Sequence, residues 1–343
     1  MVAAVLICDD SNLARKQMAR VLPAEWQNQL HFAGHGAEAL DILKRQPIEL
    51  LFLDLNMPVL DGYQVLAAIQ QQKLQVRTIV VSGDIQPEAR ERVMAFGALD
   101  FIKKPVDQHK LQQVLASLPA QLSQPGQTSE TAVSPRPRGA SSDVQLSAEL
   151  RDVFQELSNV AMGQAGDLLA RLLNVFVKLP IPNVNLIEVS ELHMALASVE
   201  QKESTSAVCQ GFIGGGVAGE ALLILNDSSF KEIARLMQFE GELTTQVELE
   251  LLMDIANILI GAVLKGLAEQ IDMSFSQGHP VVLGQHMPVA ELIKTNAKRW
   301  RKTLAIEISY GIEHYDISCD LLLLFTEDSL KTLNYKVEFL LEE

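Results

Sequence analysis

Hydrophobic and polar positions along the first third of the chain fall into alternating blocks. Short apolar runs at Val2–Cys8, Leu30–Ala33, Ile48–Leu53, Thr78–Val81 and Phe101–Lys103 are separated by stretches with the periodicity of amphipathic helices. Strands alternating with helices predict βαβ units, hence a doubly wound parallel sheet. Between Pro119 and Leu146 the pattern lapses, and Pro, Ser, Gln, Thr and Gly replace large apolar residues, as in Gln124-Pro125-Gly126 and Ser134-Pro135-Arg136-Pro137. A segment with so little to bury reads as a flexible linker. From Ser147 a helical pattern resumes, with Leu150, Val153, Leu157, Val160 and Ala161 forming an apolar stripe.

The second part of the chain repeats itself. Asp152, Glu156, Asn159, Gly163 and Pro182 recur as Glu250, Asp254, Asn257, Gly261 and Pro280 at an offset of 98, and Leu225–Phe230 recurs as Phe325–Leu330 at an offset of 100. The latter pair reads as hairpin-like ends. Residues 147–343 are thus expected to be one pseudo-two-fold, duplicated α/β domain, with copies at about 147–245 and 246–343. Each copy opens with a long helix and continues with strand-like runs such as Ala221–Leu225 and Leu321–Phe325. Gly214-Gly215-Gly216 lacks the Lys-Ser tail of a phosphate loop and is expected to bend a hairpin.

Length and charge narrow the function. At 343 residues the chain is long enough for two folded units. Residues 1–118 hold 12 basic and 13 acidic side chains, the linker 2 and 2, and residues 147–343 hold 14 and 28, which places −14 of the net −15 in the last part. That balance opposes binding to nucleic acid or anionic membranes and argues against a DNA-binding regulator. The basic run Lys298-Arg299-Trp300-Arg301-Lys302 reads as a solvated loop or helix end. The longest apolar run, Ile255–Leu264, ends at Lys265, short of the roughly 20 residues a membrane span needs, so no membrane insertion is expected. The first residues carry no basic signal pattern, and the cytoplasm is the expected location. Cys8, Cys209 and Cys319 and the seven histidines show neither disulfide nor zinc spacing.

Asp9 and Asp10 follow the first predicted strand, Asp54 the third, Ser82 ends the fourth and Lys104 the fifth. In a parallel sheet all of these reach the carboxyl edge, where ligands bind. Three crowded carboxylates repel one another, and a hard divalent cation such as Mg²⁺ removes the conflict. Asp9-Asp10, Leu53-Asp54-Leu55-Asn56-Met57-Pro58 with Asp61-Gly62, Ser82-Gly83 and Lys103-Lys104-Pro105 resemble a CheY-type response-regulator receiver, covering residues 1–118. The resemblance implies a flavodoxin-like (βα)5 fold and phosphorylation of Asp54 by a histidine kinase. It implies Mg²⁺ held by Asp9, Asp10, Asp54 and the Asn56 carbonyl, phosphoryl contacts from Ser82 and Lys104, a switch role for Phe101, and a cis Pro105.

The spacing of Asp152, Glu156, Asn159 and Gly163 puts an acid, an amide and a bare glycine on one helix face. The pattern Asp/Ser-xxx-Glu-xx-Asn with a proline after twenty-two further residues resembles the signature of the CheC, CheX and FliM family of CheY-phosphate phosphatases, over residues 147–343. Two motifs favour the CheC type. The resemblance implies that Glu156 and Asn159, projecting freely from the helix, enter the aspartyl-phosphate site of a CheY-like regulator, the amide holding the attacking water and the acid pairing with the receiver lysine. Asp254 and Asn257 would be the second pair, weakened because aspartate is one methylene short of glutamate. The implied activity is a protein aspartyl-phosphate phosphatase with no metal in its own phosphatase site, controlled by Asp54. The sequence leaves open three further points: which way that control acts, whether the chain dephosphorylates its own receiver, and whether the duplicated domain is a non-catalytic adaptor for phosphorylated receivers, chemotaxis proteins or flagellar-motor proteins.

Overall fold

The computed structural model describes residues 4–117, 147–187, 204–287 and 303–342. The linker at 119–146, the basic run at 298–302 and His193 therefore lie outside the described residues. The chain divides into two compact units, Met1–Ser82 with Arg92–Ala148, and Gly83–Glu91 with Glu149–Glu343. This differs in one segment from a plain split at the linker, since Gly83–Glu91 belongs with the second unit.

The first unit is a five-stranded parallel sheet in the order β2-β1-β3-β4-β5, where β1 is Val5–Cys8, β2 Leu30–Ala33, β3 Leu50–Leu53, β4 Arg77–Ser82 and β5 Asp100–Lys103. Successive side chains point to opposite faces, so each face has its own core. Leu6, Cys8, Leu51, Leu53 and Val80 pack with Ala39 and Leu40 of α2 (Gly36–Arg45) and with Val65 and Leu66 of α3 (Gly62–Gln72). Val5, Ile7, Leu50, Phe52, Ile79 and Val81 pack with Met18 of α1 (Asn12–Val21) and with Leu111 and Val114 of α5 (Gln108–Ala116). Helix starts are written locally: Ser11 caps α1 through Ala14 N, and Asp61 and Gln64 form a reciprocal capping box on α3. Helix α4 is Pro87–Ala95.

The second unit is built on an eight-stranded sheet with two 26-residue helices, α6 (Ala148–Leu173) and α8 (Thr245–Gln270). Its strands are β6 (Val177–Lys178), β7 (Asn183–Ile187), β8 (Thr205–Gly214), β9 (Val217–Asn226), β10 (Ser276–Gln277), β11 (Val281–Met287), β12 (Thr303–Ile312) and β13 (Ser318–Phe325). The order β10-β8-β9-β13-β12-β6, with β11 also on β8 and β7 also on β12, places the long hairpins β8-β9 and β12-β13 back to back. They meet at β9-β13, where Leu222 pairs with Leu322. Gly215 and Gly216, with φ of 56° and 83°, close the β8-β9 hairpin as the glycine run predicts. Leu225–Phe230 and Phe325–Leu330, however, are strand-to-helix connections and not hairpin ends. They lead into α7 (Phe230–Leu236) and α9 (Glu327–Glu342), and their polar side chains tie back to the strands: Asp227 accepts from the Ser206 hydroxyl at 2.7 Å and Ser329 Oγ bonds Ala218 of β9. Among the described residues α8 is the one helix long and apolar enough to cross a membrane by length and composition, and most of that window is buried inside the unit.

Candidate functional site

Four parallel strands deliver the polar residues of the first unit to one edge. Asp9 and Asp10 follow β1, Asp54 follows β3, Ser82 closes β4 and Lys104 follows β5. Carboxylate oxygens of Asp9, Asp10 and Asp54 all lie within 4.8 Å of one another. The Lys104 ammonium stands 2.8 Å from Asp9 Oδ2 and 3.4 Å from Asp54 Oδ1, and Asp9, Asp54, Ser82 and Lys104 are all buried. The Asn56 N–H donates to Asp54 Oδ2 at 3.2 Å.

The electrostatics follow from crowding. Burial, with the charges of Asp54 and Asp9, pushes the Asp10 carboxyl up to about 7 against the pull of Lys104. Burial is also the largest influence on Asp54, which is pushed up to about 6; Lys104 lowers it and Asp9 raises it. One ammonium cannot balance three carboxylates, and a hard divalent cation would relieve the strain. The donor set fits Mg²⁺: three carboxylates together, with the backbone of Asn56 beside Asp54. Phe101 is buried beside Val80 and Val93, and the Lys104–Pro105 bond is cis.

The stripe on α6 departs from expectation. Asp152 is half-buried, but Glu156 and Asn159 are only 6% and 4% exposed, so they do not project freely to an incoming protein. Within the second unit, Gly83–Glu91 lies against the backbone of α6 at Asn159, Val160 and Gly163. A Cβ on Gly163 would stand 1.9 Å from the Gly83 carbonyl oxygen, and one on Gly83 would stand 3.1 Å from the Asn159 carbonyl oxygen. Absence of a side chain at both positions lets the two backbones meet. The Gln86 amide then donates to the Val177 carbonyl at 2.8 Å, and the Val177 N–H donates to Gln86 Oε1 at 2.9 Å.

Helix α8 bears the same spacing in a different setting. Glu250, Asp254 and Asn257 are exposed, and a Cβ on Gly261 would meet nothing within 4 Å. Thr244 caps the helix through Val247 N, and the two long helices are tied where Gln270 donates to the Leu157 and Gly266 carbonyls, both at 2.9 Å. Sequence reasoning missed two features. Gln86 had no signal beyond nearness to the Ser82-Gly83 motif. His286 sits between Asp227 at 2.9 Å and Glu248 at 3.2 Å, groups 59 and 38 residues away in sequence, where no spacing rule connects them.

Residues 5–116 match the model of the response regulator receiver domain, and this N-terminal region is such a domain. A stretch of 83 residues is 37% identical to the probable C4-dicarboxylate response regulator DctR of Bacillus subtilis, covering 24% of this chain and 37% of that protein. The chain thus spans little more than a third of that relative. Among solved structures, Thermotoga maritima FliY is 18% identical, with 56% of this chain and 98% of that chain covered and a TM-score of 0.41. The CheX-CheY-BeF3-Mg²⁺ complex from Borrelia burgdorferi is 30% identical over 33% of this chain and 86% of that chain, with a TM-score of 0.30.

Proposed function

We propose that this is a two-component signalling protein whose receiver accepts a phosphoryl group on Asp54 from a histidine kinase, and whose second unit is a CheC-type phosphatase for the aspartyl phosphate of CheY-like receivers. The observation that carries the reading is the acid–amide–glycine stripe occurring twice at one offset, each time on a 26-residue helix. The sheet supports duplication: its pairing is symmetric about Leu222 and Leu322, which are themselves equivalent at the offset of 100. The proposed place of action is the cytoplasm.

In the receiver, an Asp54 oxygen attacks phosphorus and the kinase imidazole leaves. Lys104 and Ser82, at the same edge, take up the phosphoryl oxygens, and Mg²⁺ when bound supplies further positive charge to them. In the phosphatase, the amide of an asparagine holds a water in line with phosphorus. Water oxygen bonds to phosphorus, the bond to the aspartyl oxygen breaks, and inorganic phosphate and a free carboxylate result. The acid one turn before the amide pairs with the receiver lysine, so the phosphatase contributes position rather than a covalent intermediate or a metal of its own.

A cis variant, hydrolysis of the chain's own Asp54 phosphate, is favoured by one observation: Gly83–Glu91, which follows the last residue of β4, is seated on α6 within the second unit. Phosphate release tests both. A CheY-like regulator is loaded with acetyl phosphate and its decay followed with the full chain, with Asn159→Ala, with Asn257→Ala and with the double variant; decay of the chain's own phosphoryl group is followed in parallel. Acceleration abolished by the double variant is expected. No acceleration of either phosphate leaves a non-catalytic adaptor and removes the enzyme. Unchanged rates in Asp54→Ala would remove the control role of the receiver.

A further inference from the structure

We propose that His286 and Glu248 form a binding site for a divalent transition-metal ion of the Zn²⁺ class, set against the first turn of α8. Four elements of the second unit converge there: Ser206 from β8, Asp227 from the 3-10 turn after β9, Glu248 from α8 and His286 from β11. The strand bends to bring the histidine in. Pairing of β11 with β8 slips between Val282 and Gly284 and again between Gly284 and Met287, and His286, inside the second slip, has a φ of 54°. Such irregularities re-aim a side chain, and a positive φ is uncommon outside glycine. The cluster is also confined to one copy of the repeat. At the offset of 98 Glu248 answers to Leu150, and β7, the counterpart of β11, contains no histidine.

The polar contacts are ordered as a metal-binding histidine requires. Asp227 Oδ2 stands 2.9 Å from Nδ1, and Glu248 Oε2 stands 3.2 Å from Nε2. Behind Asp227, the Ser206 hydroxyl donates to its Oδ1 at 2.7 Å and accepts from the His286 N–H at 3.4 Å. A carboxylate on Nδ1 holds the proton there, which leaves the Nε2 lone pair for a ligand. Nε2 faces a second carboxylate, and two donors on one tetrahedral ion with bonds of ~2.0–2.1 Å stand about 3.3 Å apart. The observed separation of 3.2 Å matches. The His286 side chain is 43% exposed against 12% for Asp227, so the orienting acid is shielded while an ion, with the waters that complete its shell, can reach the ring. An imidazole beside a carboxylate suits Zn²⁺ or Ni²⁺, whereas Mg²⁺ takes oxygen donors. Sequence spacing hides the site because its two ligands lie 38 residues apart on different elements.

The ion takes the place of any proton on Nε2, so binding releases protons and weakens as pH falls. Once bound, it ties β11 to the first turn of α8. The test is calorimetric titration of the full-length chain with Zn²⁺, in excess Mg²⁺ to occupy the oxygen donors of the receiver edge. Wild type is compared with His286→Gln, Glu248→Gln and Asp227→Asn, and melting of each without Zn²⁺ shows which are folded. Should His286→Gln not fold, Glu248→Gln, a change on a helix surface, carries the comparison. One equivalent of Zn²⁺ is expected in the wild type, absent from His286→Gln and Glu248→Gln and weakened about 10–100-fold in Asp227→Asn, which loses the orienting acid. Zn²⁺ should raise the melting temperature of the wild type and leave that of Glu248→Gln unchanged. No bound equivalent, or equal binding in the wild type, His286→Gln and Glu248→Gln, which would put the ion elsewhere on the acidic surface, overturns the assignment. Full affinity in Asp227→Asn overturns it as well, because the orientation of Nε2 toward Glu248 would then not matter.

Discussion

Replacing Gly163 with alanine tests the seat on α6 most directly. The new methyl would lie 1.9 Å from the Gly83 oxygen, 2.5 Å from its carbon and 3.1 Å from the Asp84 nitrogen, all backbone atoms with no rotamer to escape through. Against the ~3.5 Å at which non-bonded heavy atoms rest, the shortfall to the oxygen is about 1.6 Å. Overpacking of this kind costs about 1–3 kcal/mol. If the segment instead moves away, the two Gln86–Val177 hydrogen bonds are lost, each worth about 0.5–1.5 kcal/mol. Either route weakens the seat by about 1–3 kcal/mol, a roughly five- to 150-fold change in its opening equilibrium. The Val177 N–H is the reporter, because its bond to Gln86 Oε1 belongs to the seat. Hydrogen exchange at Val177 should accelerate by that factor in Gly163→Ala. Gly261→Ala, with nothing within 4 Å, should stabilise the chain by up to about 1 kcal/mol through helix propensity alone. Unchanged protection at Val177, or destabilisation by Gly261→Ala equal to that of Gly163→Ala, would refute the reasoning.

Asp54→Asn should abolish the phosphoryl mass increment that acetyl phosphate and Mg²⁺ add to the chain, and chelation of Mg²⁺ should do the same to the wild type. The hydrogen bond to Asp227 raises the His286 pKa above its ordinary 6.5. The folded state therefore holds that proton more tightly; the stabilisation is fully present below about pH 6.5 and is lost as pH rises through the folded value. His286→Gln should remove that part of the melting temperature's pH dependence, and an identical slope in the variant would contradict it. Ser329 Oγ accepts from the Ala218 N–H at 2.8 Å and donates to the Ala218 carbonyl at 2.9 Å, and Ser329 itself is buried. Ser329→Ala should cost about 1–3 kcal/mol in urea unfolding, and a loss under a few tenths would show that water replaces it.

The receiver is legible because its chemistry is written at strand ends. Leu30–Ala33 has the bounds its pattern predicts, and the other four strands agree within two or three residues. Ser82, which closes β4, and Lys104, which follows β5, reach the acidic edge as the parallel topology requires. The long helices are equally visible through their spacing. Burial of Glu156 and Asn159 is not, because a polar side chain on an amphipathic face looks the same whether water or another backbone covers it. Periodicity assigns a face; only the partner's position assigns its exposure. The contrast between Gly163 and Gly261 is hidden for the same reason, since both are one glycine at one offset. His286 reads as a lone histidine in the sequence, its two carboxylates being brought in by the 3-10 turn at Asp227–Ser229 and the first turn of α8.

The cross-laid short strands of the second unit constrain how it can be divided. Asn183–Ile187 pairs with the far hairpin at Thr303–Glu307, and Val281–Met287 with the near one at Thr205–Cys209. Each half therefore finishes the other's sheet, and a cut in the connection ahead of Thr244 would strip a strand from both. Either half alone would leave an edge of its long hairpin, at β8 or at β12, without the strand that covers it.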